Sequence, residues 1–130
     1  AQRIQADFEN YKRRNKNAIS DATEDGINET VKQFLPLLDN VERAAEAARA
    51  FGDEAFCKGI DLLLRQTNDI FDKLDVCEIE TDIFDPNFHN AVMQEEAEDG
   101  TEENKITQVF QKGYMRKGKV LRFSMVKVAK

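Results

Sequence analysis

The chain has 130 residues, of which 34% are charged and 41% hydrophobic, and it carries a net charge of −6. That is the size of one ordinary domain, and no apolar run approaches the roughly 18 residues that a membrane-spanning helix needs. Cys57 and Cys77 are the only cysteines, neither lies in a CxxC, and His89 is the only histidine, which excludes histidine metal clusters and paired-histidine catalysis. Thiols this sparse predict a reducing compartment, with both cysteines as ordinary core or surface groups.

The chain begins at Ala1, inside what reads as helix, without an initiator Met or a secretory signal. This predicts a segment trimmed or lost ahead of it. Ile4, Tyr11 and Ala18 form one heptad row and Phe8, Asn15 and Ala22 the other, the a/d seam of a coiled coil. Asn15 either lies in the seam, where it fixes register, or faces solvent. The phase slips near Gly26 and resumes as Ile27, Val31, Phe34, Leu38, Val41, Ala45 and Ala48. Pro36 removes one helical hydrogen bond, but the phase runs unbroken from Val31 to Val41. The expectation is one bent helix continuing to Ala50.

Phe51-Gly52-Asp53 predicts a helix stop followed by an N-cap. Phe56, Ile60, Leu63, Thr67, Ile70 and Leu74 then repeat at spacings of four and three, a second helix folding back on the first. Gly59 in its interior marks either a close helix crossing or a tolerated surface position. A helix pair with so much polar surface cannot bury enough apolar area alone, so a second copy is expected, completing a four-helix bundle with Ile60, Leu63, Phe34, Leu38 and Val41 at the contact.

Past Leu74 the rhythm changes from helical to short strand-like runs. Val76–Glu80 reads as a strand and Asp85-Pro86-Asn87 as a turn, with His89 bonding to the turn backbone. Residues 95–104 read as an acidic loop. Lys105–Lys112 and Lys119–Val128 read as strands separated by a Gly113–Gly118 connection. The predicted class is α+β, with a helical dimerisation region over 1–75 and a β domain over 76–130.

Charge follows its own division. Residues 1–20 carry +3, residues 21–104 carry −17, and residues 105–130 carry eight basic and no acidic side chains. Such a tail can steer a charged partner, either nucleic acid or an acidic protein surface. No P-loop, GxGxxG or GxSxG is present, and the carboxylates lie along helices as solvated faces, so no enzyme is read.

Five segments together resemble the GrpE family, the nucleotide exchange co-chaperones of Hsp70 (DnaK). They are Ala6-Asp7-Phe8-Glu9-Asn10-Tyr11, Leu35-Pro36-Leu37-Leu38-Asp39-Asn40-Val41-Glu42-Arg43-Ala44, residues 84–92, Gln111-Lys112-Gly113-Tyr114 and Val120-Leu121-Arg122. The resemblance implies a parallel homodimer with a paired-helix stalk, a four-helix bundle and a small β domain on each chain. It implies a bacterial cytoplasmic protein that binds the Hsp70 nucleotide-binding domain, opens its cleft and releases ADP, with no cofactor, nucleic acid or membrane involved. It places partner contacts at Glu46, Phe110, Lys119, Arg122 and Val128. From the residues alone, Phe110 and Val128 read equally as sheet core, and Lys119 as a solvated hairpin charge. The family usually continues Leu-Arg with Pro-Ala, whereas Phe123-Ser124 stand here, and Lys119 replaces the usual Arg. Two rival readings stand beside this one: a coiled-coil nucleic-acid binder using the basic tail, and a purely structural dimeric scaffold.

Overall fold

A computed structural model describes residues 1–130. Helix α1 runs unbroken over Gln2–Phe51 with Pro36 inside it, about 75 Å at 1.5 Å per residue. It stops at Gly52, whose φ of 72° is left-handed and whose N–H bonds back to the carbonyls of Ala48 and Arg49. Glycine takes that conformation without steric cost. Asp53 then caps α2, Glu54–Lys73, by accepting from the Phe56 N–H at 3.2 Å. Gly59 has open space where a Cβ would project, so no helix of the same chain crosses closely there.

Beyond the helices lie two three-stranded sheets. The first has the order β1-β4-β5, with β1 Val76–Glu78, β4 Tyr114–Arg116 and β5 Lys119–Arg122, all antiparallel. The second has the order β2-β6-β3, with β2 His89–Glu95 parallel to β6 Ser124–Ala129 and β3 Ile106–Gln111 antiparallel to it.

Three sequence expectations change here. The 113–118 connection contains strand β4, and only Lys117 and Gly118 make the turn, both with positive φ, as a tight hairpin of this hand requires. The run from Lys119 to Val128 is two strands in different sheets, parted at Phe123. The segment after the Asp-Pro-Asn turn continues as β2, a strand that its residue pattern does not announce.

Ser124 explains how the chain crosses between sheets. It is fully buried, and its Oγ accepts the Gly113 N–H at 3.1 Å while its own N–H donates to the Phe88 carbonyl. A Cβ at position 113 would come within 2.5 Å of Ser124, so Gly113 is required by close approach. His89 sits buried beside it with both ring nitrogens bonded: Nδ1 accepts the Asp85 N–H at 2.9 Å, and Nε2 meets the Glu80 carbonyl at 2.7 Å.

The first sheet packs on α1 through a small apolar core of Val31, Leu35 and Leu38 against Val76, Tyr114 and Leu121. Leu35 is fully buried although it lies off the single stripe read from the sequence, and Phe34, on that stripe, is exposed. The helix has two packing partners on adjacent sides, so its apolar surface is wider than one row. Phe71 of α2 meets Tyr114 edge-on at 5.8 Å, tying the second helix into the same core.

Ion pairs ring this core. Arg116, with a side chain only 5% exposed, pairs with Glu24, reaches Asn28 Oδ1 at 3.2 Å and donates to the Leu74 carbonyl at 2.7 Å. One guanidinium thereby joins α1, the end of α2 and β4. Lys117 reaches Glu24 at 3.3 Å, Lys119 reaches Asp25 at 3.1 Å and Lys112 reaches Glu42 at 3.2 Å.

Leu35→Ala removes a fully buried side chain from the core between helix and sheet, so it should lower unfolding free energy by about 2–5 kcal/mol, read by urea denaturation. Hydrogen bonds from Arg116 and then Lys117 hold the Glu24 carboxyl below its ordinary value of 4.5. A group depressed on folding stabilises fully above its unfolded pKa, and the contribution is lost as pH falls through the folded value. Near-UV circular dichroism of Tyr114 should therefore show the sheet loosening from α1 below pH 4.5, and Glu24→Gln should flatten that acid limb while leaving the alkaline side unchanged.

Candidate functional site

The edge where α1 meets the sheets carries four of the five residues that the resemblance singles out, Glu46, Phe110, Lys119 and Arg122. Asp25, Asn28, Lys32, Asp39, Arg43 and Glu46 follow one another at spacings of three and four, with one skipped turn at Pro36, so they lie along one side of the helix. At the upper end of this row a cleft of about 310 Å³ is lined by Asp39, Glu42, Arg43 and Glu46 from α1 and by Val109, Phe110, Gln111 and Lys112 from the end of β3. Glu46 and Phe110, distant in sequence, thus form opposite walls of one concavity. Phe110 is 45% exposed and offers an apolar face to an incoming surface. Lower on the row, Lys119 and Val120 share a shallower cleft with Asp25, Asn28, Glu29 and Lys32.

Arg122 does not line the upper cleft but bonds two residues that do, Asp39 and Lys112. Its two terminal nitrogens donate to the two oxygens of Asp39 at 2.7 and 2.9 Å, and Nε and Nη2 both reach the Lys112 carbonyl, at 2.9 and 2.6 Å. Its Cζ lies 5.6 Å from the centre of the Tyr114 ring. Burial pushes the Tyr114 hydroxyl well above its ordinary value, helped by the carboxylates of Glu42 and Glu78, so it stays neutral. Val128 is 1% exposed and packs with Ile106 and Val126 in the second sheet, away from the cleft.

The basic excess of residues 105–130 is largely spent inside the molecule. Lys112, Arg116, Lys117, Lys119 and Arg122 all pair with carboxylates of α1, and Lys127 pairs with Glu95 at 3.4 Å, leaving Lys105 and Lys130 without an ion pair. Asp39, Arg43 and Lys112 line the upper cleft but were not among the residues picked from the sequence. The available signal was the facing of two charge rows, acidic along α1 and basic along the C-terminal strands.

A second apolar surface lies on the other side of the rod. A groove of about 350 Å³ between α1 and α2 is lined chiefly by Phe34, Leu37, Leu38, Val41, Ile70, Phe71 and Leu74. Phe34 and Leu37 are exposed there, Leu63 is exposed elsewhere on α2, and Leu38 and Ile60 are buried by the chain itself. Ile4, Phe8, Tyr11, Asn15, Ala18 and Ala22 are exposed along the free N-terminal stretch of α1. No cluster of His, Cys, Asp or Glu is arranged to hold a metal ion, and no helix is long and apolar enough to cross a membrane.

Against known proteins the match runs the length of the chain. The family model described as GrpE matches residues 1–130. Protein GrpE of Caldanaerobacter subterraneus subsp. tengcongensis is 42% identical over 132 residues, covering 100% of this chain and 63% of that protein. Protein GrpE of Clostridium acetobutylicum is 42% identical over 128 residues, covering 98% of this chain and 62% of that protein. Protein GrpE of Fusobacterium nucleatum subsp. nucleatum is 40% identical over 130 residues, covering 98% of this chain and 65% of that protein. The chain spans about three fifths of the length of these relatives. With a family model matched from the first residue to the last over a long helix, a returning helix and a small β module, the chain belongs to the GrpE family.

Proposed function

We propose that this chain is a nucleotide exchange co-chaperone, acting as a homodimer on the nucleotide-binding domain of a bacterial cytoplasmic Hsp70 (DnaK) in protein folding and heat stress. The observation that carries the reading is the family match over residues 1–130, and a cleft between α1 and β3 supports it. The upper cleft joins an acidic helix wall at Glu46 to an apolar sheet wall at Phe110. Such a cleft can grip a protein surface with a central apolar anchor and a charged rim. Lys119, on the same side of the rod, would extend that rim.

Exchange requires no bond to form or break. The factor has only to bind the open form of the chaperone better than the closed form, and each 1.4 kcal/mol of that preference moves the opening equilibrium about tenfold. The dimer reading is supported by the apolar groove between α1 and α2 and by the exposed Ile4, Phe8 and Tyr11. A second copy would cover both and build the bundle and stalk. Internal pairing of the basic C-terminal side chains weighs against a nucleic-acid binder, which needs them free to displace counterions.

Stopped-flow release of labelled ADP from a bacterial Hsp70 is expected to accelerate with this protein, and a rate equal to buffer alone would overturn the reading in favour of an inert scaffold. Sedimentation should give twice the chain mass, and Phe34→Glu should shift it toward the single chain. Lys119→Glu is expected to weaken Hsp70 binding about two- to tenfold, mostly through slower association at a rim charge, without changing the sedimentation of the protein.

A further inference from the structure

We propose that Arg122 is a positioning residue, whose fork onto Asp39 fixes the angle between α1 and the β module and thereby sets how strongly factor binding is coupled to nucleotide binding on the partner. This rests on the exchange-factor reading above. As a direct partner contact Arg122 is poorly placed: its side chain is 15% exposed and that of Asp39 17%. Both Asp39 oxygens are engaged by the terminal nitrogens of Arg122, while Nε and Nη2 are also held by the Lys112 carbonyl. Little hydrogen-bonding capacity is left for another molecule.

The geometry of the fork is what matters. A planar guanidinium held on two parallel bonds resists rotation as well as separation, which a single point charge does not. Asp39 belongs to α1, Arg122 ends β5, and the Lys112 carbonyl lies just past β3, so one group pins three parts of the chain. The Lys112 side chain then reaches Glu42 at 3.2 Å, a second tie across the same seam. Asp39 and Lys112 also line the cleft whose walls carry Glu46 and Phe110. The fork therefore holds the two walls at a fixed relation.

With rigid walls, full contact is available only to the partner arrangement that fits both at once. With a loose joint, the β module can follow the partner's surface as the partner closes, and contact is kept in either state. A ligand that binds both states equally shifts nothing. Loosening the fork should thus reduce the ratio of affinities for nucleotide-free and ADP-loaded Hsp70. By linkage, the same ratio governs how far the factor weakens ADP binding.

The test compares the full chain with Asp39→Asn and Arg122→Lys. Dissociation constants are measured for nucleotide-free Hsp70 and for Hsp70 saturated with ADP, together with the plateau rate of ADP release. Both variants are expected to lower the affinity ratio about two- to thirtyfold, the range for residues that modulate coupling, and to lower the plateau rate. Arg122→Lys keeps the charge and loses the fork, so an electrostatic contact role would spare it. Asp39→Asn frees Arg122, so a direct-contact role predicts binding as tight or tighter. An unchanged ratio in a variant whose circular dichroism matches the parent overturns the proposal, as does equal weakening toward both nucleotide states. Should Asp39→Asn fail to fold, Arg122→Lys decides alone. If the parent chain shows no ratio above one, the exchange-factor reading itself falls, an outcome distinct from a parent ratio that both variants retain.

Discussion

Two arginines carry their guanidinium groups out of water and into the seam between the long helix and the first sheet. Taking an ion from water into a protein interior costs several kcal/mol, and attraction repays it only when geometry and remaining hydrogen bonds are good. Arg116 meets that condition with a carboxylate, an amide oxygen and the terminal carbonyl of α2. Arg122 meets it with both oxygens of Asp39 and the Lys112 carbonyl. No buried side-chain nitrogen or oxygen is left without a partner. Between them lies an apolar core of only six buried side chains, too small to orient a β module by itself. The apolar contact supplies attraction without direction, and the arginines supply direction.

This arrangement also accounts for the charge distribution. An acidic helical stretch and a basic C-terminal end would be costly as isolated fields, since like charges within each repel. Folded, they face one another along the rod, from Glu24 and Asp25 at one end to Asp39 and Glu42 at the other. The exposed pairs, such as Lys119 with Asp25, contribute little each. Their value lies in register, because sliding the sheet along α1 by one helical turn would break every pair together.

The helical half was legible in the sequence because its signals are local. Seven-residue rows, a glycine stop and an aspartate cap each depend on neighbours within a turn or two, and Pro36 was outweighed by an unbroken phase. The β half was less legible. Strand β2 is exposed along nearly all its length beyond His89, so it shows no alternation. Strand β4 buries Tyr114 and Arg116, and a buried arginine reads as surface. The split at Phe123 depends on Ser124 meeting Gly113, a contact across 11 residues. The site was harder still. Glu46 and Phe110 were reached through resemblance, and that they share a cleft is set by packing alone. Arg122 and Asp39 are 83 positions apart, and counting charges shows that such partners are available without saying which will meet.

The apolar groove and the seam are not independent surfaces. Val31, Leu38, Phe71 and Leu74 belong to both, lining the groove on one side and packing with or against the core of the seam on the other. Interiors are close-packed, so side chains pressed from one side transmit the displacement to the other. A second copy seated in the groove would therefore tighten the bed on which the first sheet rests, adding rigidity where Arg116 already ties the end of α2 to β4. Loss of that second copy, on heating or dilution, would withdraw support from the same bed. On the dimer reading, dimer stability and the seating of the β module would be coupled, because α1 presents a single wide apolar face to both.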